Sequence, residues 1–158
     1  MRTRYATAGS RGFTLIEVLI VIGILGVLGS LATAKYSDYR ERVRVSQAVA
    51  DIGGLSVTIS QYALENNHMP PDSLADVRAG GKLDPWGQPY QYVNLVDIKG
   101  HGKARKDKKL NPLNTDFDLY SMGKDGASQT SLMAKTSRDD VIRAGDGRFI
   151  GLAQDFDP

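Results

Sequence analysis

An uncharged apolar run near the N-terminus limits what this chain can fold into more than any other feature. Residues 18–34 carry no charge, and residues 13–34 carry only Glu17. A helix over residues 13–34 would be about 33 Å long, which matches the hydrocarbon core of a bilayer. The run is too long for a secretory signal peptide, and residues 30–32 (SLA) are only a weak cleavage site. The sequence therefore predicts a membrane-spanning helix.

Glu17 is the one acidic residue inside this run. A carboxylate that faces lipid costs a few kcal/mol or more, so it needs a partner. Cleavage after Gly12 would free an amine on Phe13, four positions before the acid. In a staggered bundle of parallel helices, this amine of one subunit can pair with Glu17 of its neighbour, which compensates both charges. A plain membrane anchor would leave Glu17 unexplained.

The string GFTLIEVLIVIGILGVL begins at Gly12 and follows a leader with three arginines and no acid. It resembles the prepilin signal of type IV pilins and pseudopilins. That signal is a short basic leader followed by Gly, Phe, a Glu at the fifth mature position and an unbroken apolar helix. The resemblance implies that a prepilin peptidase cleaves between Gly12 and Phe13 and methylates the Phe13 amine, and that Glu17 serves assembly. One departure is Ala34, where many family members have proline.

The chain becomes amphipathic after Lys35, and no proline occurs between Phe13 and His68. The apolar spacing predicts a core-facing helical stripe formed by Val45, Ala48, Val49, Ile52, Leu55, Ile59 and Tyr62. We expect a single helix of about fifty residues, half in lipid and half covered by a domain, with a weak point at residues 53–54 (GG). It should stop at residues 66–72, which read NNHMPPD.

The rest of the chain predicts a small antiparallel sheet. Three segments have the residue pattern of strands, namely 90–98, 117–122 and 148–152. We therefore expect an α+β, pilin-like fold, in which the long N-terminal helix packs on the sheet. The predicted parts are a leader (1–12), a transmembrane and assembly helix (13–35), the amphipathic half of the helix (36–66) and a periplasmic globular part (67–158).

Two further strings of residues indicate which branch of the pilin-like family the chain resembles. Residues 84–92 (DPWGQPYQY) are similar to the DPWGxPYxY segment of the major pseudopilin, or G protein, family of type II secretion systems. Residues 118–126 (DLYSMGKDG) are similar to the D-x-[YF]-S-x-G-x-D-G segment of the same family. The chain departs from the family pattern at residues 72–82, which are shorter than usual, and at residues 127–158, which carry extra residues.

The resemblance implies a calcium site in the loop after the second strand. Calcium takes six to eight hard oxygens, usually from carboxylates and backbone carbonyls on a flexible loop. The predicted ligands are the carboxylate of Asp125, one or both of the carboxylates of Asp139 and Asp140, and the carbonyls of Met122 and Ser137. On the residues alone, a solvated acidic turn is the simpler interpretation. A rival acid, Asp146 in AGDG at residues 144–147, has the pattern of a hairpin turn.

A basic run joins the first two predicted strands. Residues 99–109 hold six Lys or Arg among eleven residues, with no interleaved aromatic residue for base stacking. We expect a solvated hairpin tip that resists edge-to-edge association, and we do not expect nucleic-acid binding. The chain has no cysteine, two histidines and no catalytic motif such as G-x-S-x-G. Disulfides, thiolate metal sites and enzymatic activity are therefore not expected.

The predicted function is that of a pseudopilin, a structural subunit of a periplasmic filament that drives protein export by a type II secretion system. The resemblance implies four partners: copies of the same chain, minor pseudopilins, the prepilin peptidase and an inner-membrane assembly platform. It implies a single-pass chain in the bacterial inner membrane with its C-terminal part in the periplasm. The alternative is a type IV pilus subunit for adhesion, motility or DNA uptake. The absence of cysteine counts against it, since major pilins often close a C-terminal loop with a disulfide.

Overall fold

The computed structural model describes residues 12–96 and 101–158, so all of the predicted leader except Gly12 lies outside the described residues. The chain divides after Arg40 into two compact units, the second of which is Glu41–Pro158. One α-helix of 51 residues, α1 (Leu15–Glu65), contributes to both units. The single long helix that the sequence predicts is thus confirmed. The predicted boundary after residue 35, between the membrane-spanning part and the amphipathic part of the helix, stays a prediction.

In the first unit, α1 carries the apolar run with its side chains uncovered. The large apolar residues from Leu15 to Leu31 are 51–77% exposed. By length and composition the helix can cross a membrane. A folded soluble core would cover such side chains, so lipid or the helices of other molecules must cover them instead. The exposure and composition of this segment are those of a membrane anchor.

The helix ends where the sequence predicts, immediately after Glu65. Asn67 and His68 have φ angles of 55° and 64°, a left-handed conformation that ends helical hydrogen bonding. Two prolines at 70 and 71 then exclude any continuation. The predicted weak point at residues 53–54 does not interrupt α1, which is helical throughout.

The second unit holds a four-stranded antiparallel sheet, in which strands adjacent in sequence are also adjacent in space. Its strands are β1 (Gln91–Asn94), β2 (Phe117–Ser121), β3 (Val141–Ala144) and β4 (Phe149–Leu152). Tyr92 pairs with Leu119 across β1 and β2, and Val141 pairs with both Ser121 and Leu152. The sequence predicted β1, β2 and β4 but missed β3.

The amphipathic part of α1 packs into the main core of the second unit. Ala48, Ile52, Leu55 and Ile59 are buried with residues of the sheet, among them Phe117, Leu119 and Val141. A second cluster includes Ile142 and Ala144, which belong to the same strand as Val141. Both faces of β3 are therefore covered, because alternate residues of a strand point to opposite faces. The predicted core-facing stripe and the α+β, pilin-like fold are confirmed.

Candidate functional site

The predicted cleavage point lies just before the first turn of α1. Gly12, Phe13 and Thr14 precede the helix in irregular backbone, and the Phe13 side chain is 88% exposed. A peptidase needs an accessible bond outside regular secondary structure, and the bond between Gly12 and Phe13 meets both conditions. The geometry is compatible with the predicted processing, and the roles of Gly12 and Phe13 stay predictions.

Glu17 and Thr14 form a reciprocal cap at the start of α1. The backbone N–H of Thr14 donates to Glu17 Oε2 at 2.8 Å, and the Thr14 hydroxyl donates to the same oxygen at 2.9 Å. In return the Glu17 N–H donates to Thr14 Oγ1 at 3.3 Å. This is a capping box, in which two backbone donors at a helix start are satisfied by side chains three residues apart.

The capping box adds a second role for Glu17 that the sequence analysis missed. The T-x-x-E spacing of residues 14–17 was the available signal, since this spacing before an apolar run marks a helix start. Within the described residues the cap engages only Oε2, and Oε1 accepts no hydrogen bond from the same chain. Glu17 can therefore cap its own helix and still present one oxygen to a cation of another subunit.

The two family-like strings of the second unit contact each other through buried polar groups. Asp84 Oδ1 accepts hydrogen bonds from the N–H groups of Trp86 and Gln88, at 3.0 and 2.9 Å, which closes the predicted turn. Asp84 Oδ2 accepts the Ser121 hydroxyl at 2.5 Å. Ser121 is fully buried and Asp84 is 6% exposed, so the bond joins the turn to the end of β2 out of reach of water.

The first of these strings also holds the sheet to the amphipathic part of α1. Trp86 Nε1 donates to Glu41 at 3.0 Å, and the Tyr90 hydroxyl donates to Asp51 at 3.0 Å. Lys82 forms an ion pair of 2.7 Å with the other oxygen of Asp51. Burial, the hydrogen bond to Asp51 and its negative charge all raise the pKa of Tyr90, so the phenol stays protonated and keeps donating. These side chains therefore attach residues 82–90 to the amphipathic part of α1.

The predicted calcium loop is built around a glycine that no other residue can replace without movement. Gly123 has a φ of +65°, and a Cβ at this position would overlap the backbone of Asp139. This close approach lets Asp139 Oδ2 accept the N–H groups of Lys124 and Asp125, at 3.0 and 3.1 Å. Asp125 Oδ1 in turn accepts the N–H of Ala127 at 2.8 Å. The turn therefore brings Met122, Asp125 and Asp139 into one neighbourhood.

The side chains of the other two predicted ligand residues have protein partners. Asp140 is fully buried, and its Oδ2 lies 2.5 Å from Arg105 Nη2 and 2.6 Å from the Ser128 hydroxyl. Burial raises the pKa of Asp140, and the Arg105 charge and the hydrogen bond from Ser128 oppose that rise. The predicted ligand atom of Ser137 is its backbone carbonyl, and its hydroxyl accepts the Gln129 N–H at 2.9 Å and donates to the Gln129 carbonyl at 3.1 Å.

As arranged, Asp140 does not fit a calcium ion. The ion takes six to eight oxygens, several of them from carboxylates, and the charge of Asp140 is already neutralised by the Arg105 guanidinium. Across residues 12–96 and 101–158, no three acidic or histidine side chains come together as they would around a metal. Calcium binding at this loop stays a prediction of the sequence.

Arg105 corrects the expectation for the basic run at residues 99–109. Residues 99 and 100 lie outside the described residues, and Lys103, Lys106, Lys108 and Lys109 are exposed as a solvated loop requires. Arg105, however, is only 2% exposed and pairs with Asp140. The signal was present in the sequence, because this is the only arginine among the six basic residues. Arginine is the residue that buried ion pairs prefer, since its planar group bonds several partners at once.

Asp146 lies in the turn between β3 and β4, as its pattern predicted. Its carboxylate accepts both the N–H and the hydroxyl of Thr115, at 2.7 and 3.0 Å. The Asp146 N–H donates to Asn114 Oδ1 at 2.9 Å. Partial burial acts to raise the pKa of Asp146, but the hydrogen bonds from Thr115 and the Arg143 charge outweigh it and lower the pKa. This acid therefore joins two loops.

Comparison with known proteins supports a single family. The prokaryotic N-terminal methylation motif matches residues 7–33. The chain is 33% identical to the type II secretion system core protein G of Aeromonas hydrophila over 139 residues, which cover 75% of this chain and 86% of that protein.

Two further relatives widen the comparison. Core protein G of Escherichia coli K12 is 32% identical over 145 residues, which cover 79% of this chain and 89% of that protein. A fimbrial protein of Neisseria meningitidis serogroup B is 33% identical over 147 residues, which cover 85% and 83% of the two chains. No solved structure matches significantly.

Proposed function

Because this chain belongs to the pilin-like family of type II secretion system core protein G, we propose that it is a major pseudopilin. In this role it is a structural subunit of a filament that serves protein export. The observation that carries the proposal is the extent of the similarity, which covers 86–89% of two core G proteins. A prepilin signal alone would fit any pilin-like protein, whereas this similarity continues through most of the globular unit.

The proposed mechanism is assembly of many copies of the chain through α1. Cleavage after Gly12 would leave Phe13 as the first residue, with a methylated amine. The uncovered apolar residues between Leu15 and Leu31 would rest in lipid before assembly and against neighbouring helices afterwards. The exposed Oε1 of Glu17 would accept the Phe13 amine of the next subunit, so that neither charge remains unpaired in the apolar bundle.

The proposed location is the inner membrane, which a single helix crosses. The leader arginines would stay on the cytoplasmic side, as basic flanking residues usually do, and the unit Glu41–Pro158 would face the periplasm. The proposed partners are the prepilin peptidase, other copies of this chain, minor pseudopilins and an inner-membrane assembly platform.

We propose no enzymatic role. The curated relatives named above are secretion and fimbrial proteins. Within the described residues, three buried or half-buried polar pairs join structural elements: Asp84 with Ser121, Asp51 with Tyr90, and Arg105 with Asp140. The work of the filament would be mechanical, with growth of the polymer pushing folded cargo toward the outer membrane.

A type IV pilus subunit is the second candidate. The similarity to the fimbrial protein of Neisseria meningitidis, which covers most of both chains, favours it. The lack of cysteine in this chain and the two family-like strings at residues 84–92 and 118–126 favour the secretion role.

A gene deletion separates the two roles. We expect a strain without this chain to retain in the periplasm proteins that the wild type releases into the medium, as mass spectrometry of both fractions would show. Surface pili and twitching motility should be unchanged, and the wild-type gene on a plasmid should restore release. Normal protein release combined with a loss of surface pili would overturn the secretion role and establish the pilus alternative.

A further inference from the structure

A buried ion pair occupies the place where the sequence predicts a calcium ligand. Arg105 and Asp140 are 2% and 0% exposed, and they come from segments that lie 35 residues apart. Each would be costly to bury alone, because an ionised group loses its hydration in the interior. The close contact between Nη2 and Oδ2 is the arrangement that compensates this loss.

Arg105 is fixed at both its backbone and its side chain. Its N–H donates to Asp118 Oδ2 at 2.7 Å, and its carbonyl accepts the Leu113 N–H at 2.8 Å. The guanidinium lies over the Tyr120 ring at 4.0 Å from the ring centre, and Nη1 donates to the Ser128 hydroxyl at 2.8 Å. The cation is therefore held in place by contacts other than the ion pair itself.

The cross-links that a metal would give this loop are already made by protein groups. Asp139 joins the turn at residues 123–125 to the segment before β3 through two backbone N–H groups. The Arg105 guanidinium joins Ser128 to Asp140. The Arg105 guanidinium also neutralises the charge of Asp140, and within the described residues this pair leaves one buried donor, Arg105 Nε, and one buried acceptor, Asp140 Oδ1, without a partner.

We propose that the Arg105 guanidinium is the resident cation of the acidic loop and that it holds the loop closed without calcium. A divalent ion at Asp140 would have to displace a guanidinium that is stacked, hydrogen-bonded and buried. Like charges repel strongly at such short range in a poorly solvated site. This inference concerns the stability of the second unit and does not depend on which filament the chain forms.

The decisive experiment measures calcium binding and thermal unfolding on the full chain purified in detergent. Trp86 is the only tryptophan of the chain and lies in the second unit, so its fluorescence reports the unfolding of that unit. We expect the melting temperature to agree within about 1 °C in CaCl₂ and in chelator, whereas a stabilising calcium ion would raise it by on the order of 10 °C. Equilibrium dialysis with radioactive Ca²⁺ should find no bound ion.

Two variants test the role of the guanidinium itself. Arg105→Gln should lower the melting temperature by about 10 °C or more, because it leaves a buried carboxylate uncompensated. Lys103→Gln, which removes an exposed cation of the same basic run, should leave it unchanged. Asp125→Ala should also change it little, since Asp125 is exposed and bonds only a local N–H.

Two outcomes would overturn the proposal. One is a wild-type chain that binds one Ca²⁺ and melts several degrees higher with the ion, an effect that Asp125→Ala abolishes. The other is an Arg105→Gln variant that melts at the wild-type temperature. If Arg105→Gln does not fold, the calcium measurement on the wild-type chain and the Asp125→Ala variant still decide the question.

Discussion

The side chain of Glu17 has two tasks, one in its own helix and one proposed between subunits. One oxygen closes the capping box with Thr14 and so starts α1, and the other faces outward from the same chain. The proposed function needs the second task, the pairing with the Phe13 amine of a neighbour. The first task is local, and a neutral side chain of the same length can perform it, since glutamine serves in capping boxes as glutamate does.

Glu17→Gln separates these tasks. The variant should insert in the membrane and keep α1 capped, because Gln supplies the same acceptor, but it should fail to enter filaments because it carries no charge.

Thr14→Val should behave in the opposite way: the helix cap is weakened, but the chain still enters filaments. Quantitative blots of the sheared filament fraction and of membranes would measure both, with Asp38→Asn as a control for the loss of an exposed acid outside the apolar run. Wild-type incorporation of Glu17→Gln would mean that capping is the only task of Glu17.

Asp146 predicts a pH dependence of stability. Its pKa in the folded chain lies below the usual carboxyl value near 3.9, so it stabilises the fold above that value and ceases to do so as pH falls through the folded pKa. Asp146→Asn should therefore melt below the wild type at pH 7, and the difference should shrink below about pH 4. Melting curves followed by Trp86 fluorescence at pH 7, 5 and 3 would show this. A difference that is the same at all three pH values would contradict it.

Helices and strands could be predicted from the sequence where local residues or a regular apolar spacing mark them. The end of α1 could be read from asparagine, histidine and two prolines, and its buried stripe from apolar spacing. Strand β3 could not, because its four residues read VIRA and all are buried, so there is no alternation to detect. Arg143 in its middle is buried only because it pairs with Asp116 at 2.7 Å and lies over the Phe117 ring.

The acidic loop was likewise predictable only where a sequence pattern marks its residues. Gly123, Asp125 and Asp139 could be placed from the family resemblance, and the structure brings them together. The partner of Asp140 could not, since a single arginine among lysines marks Arg105 as unusual but does not indicate which distant acid it pairs with. A buried charge is defined by a partner distant in sequence, and no local pattern records that partner.

The turn after β2 should tolerate no side chain at Gly123. Gly123→Ala would place a methyl group against the Asp139 backbone at a left-handed φ, and it should cost about 2–5 kcal/mol of unfolding free energy. Gly54→Ala is the matched control, since a Cβ there meets no atom within 4 Å in a helical backbone. That control should gain about 0.5–1 kcal/mol. Urea unfolding followed by Trp86 fluorescence measures both, and a Gly123→Ala variant as stable as the wild type would contradict the loop geometry.

The whole molecule combines an uncovered apolar helix segment with a folded unit that buries its own core. Neither feature alone identifies a pseudopilin, since simple membrane anchors share the first and many small α+β proteins share the second. The predicted prepilin signal connects them, because cleavage after Gly12 would free the amine that the proposed assembly uses. The proposed function therefore rests above all on the N-terminus that the chain has in the cell.

Intact mass spectrometry of the chain from membranes and from the filament fraction measures that N-terminus. We expect one species in both fractions, which begins at Phe13 and carries one methyl group. A Gly12→Val variant should accumulate at the mass of the full precursor and be missing from filaments, because a bulky residue blocks a peptidase fitted to glycine. A wild-type chain that begins near Ala32, or that still begins at Met1 inside filaments, would rule out prepilin processing and the assembly proposed from it.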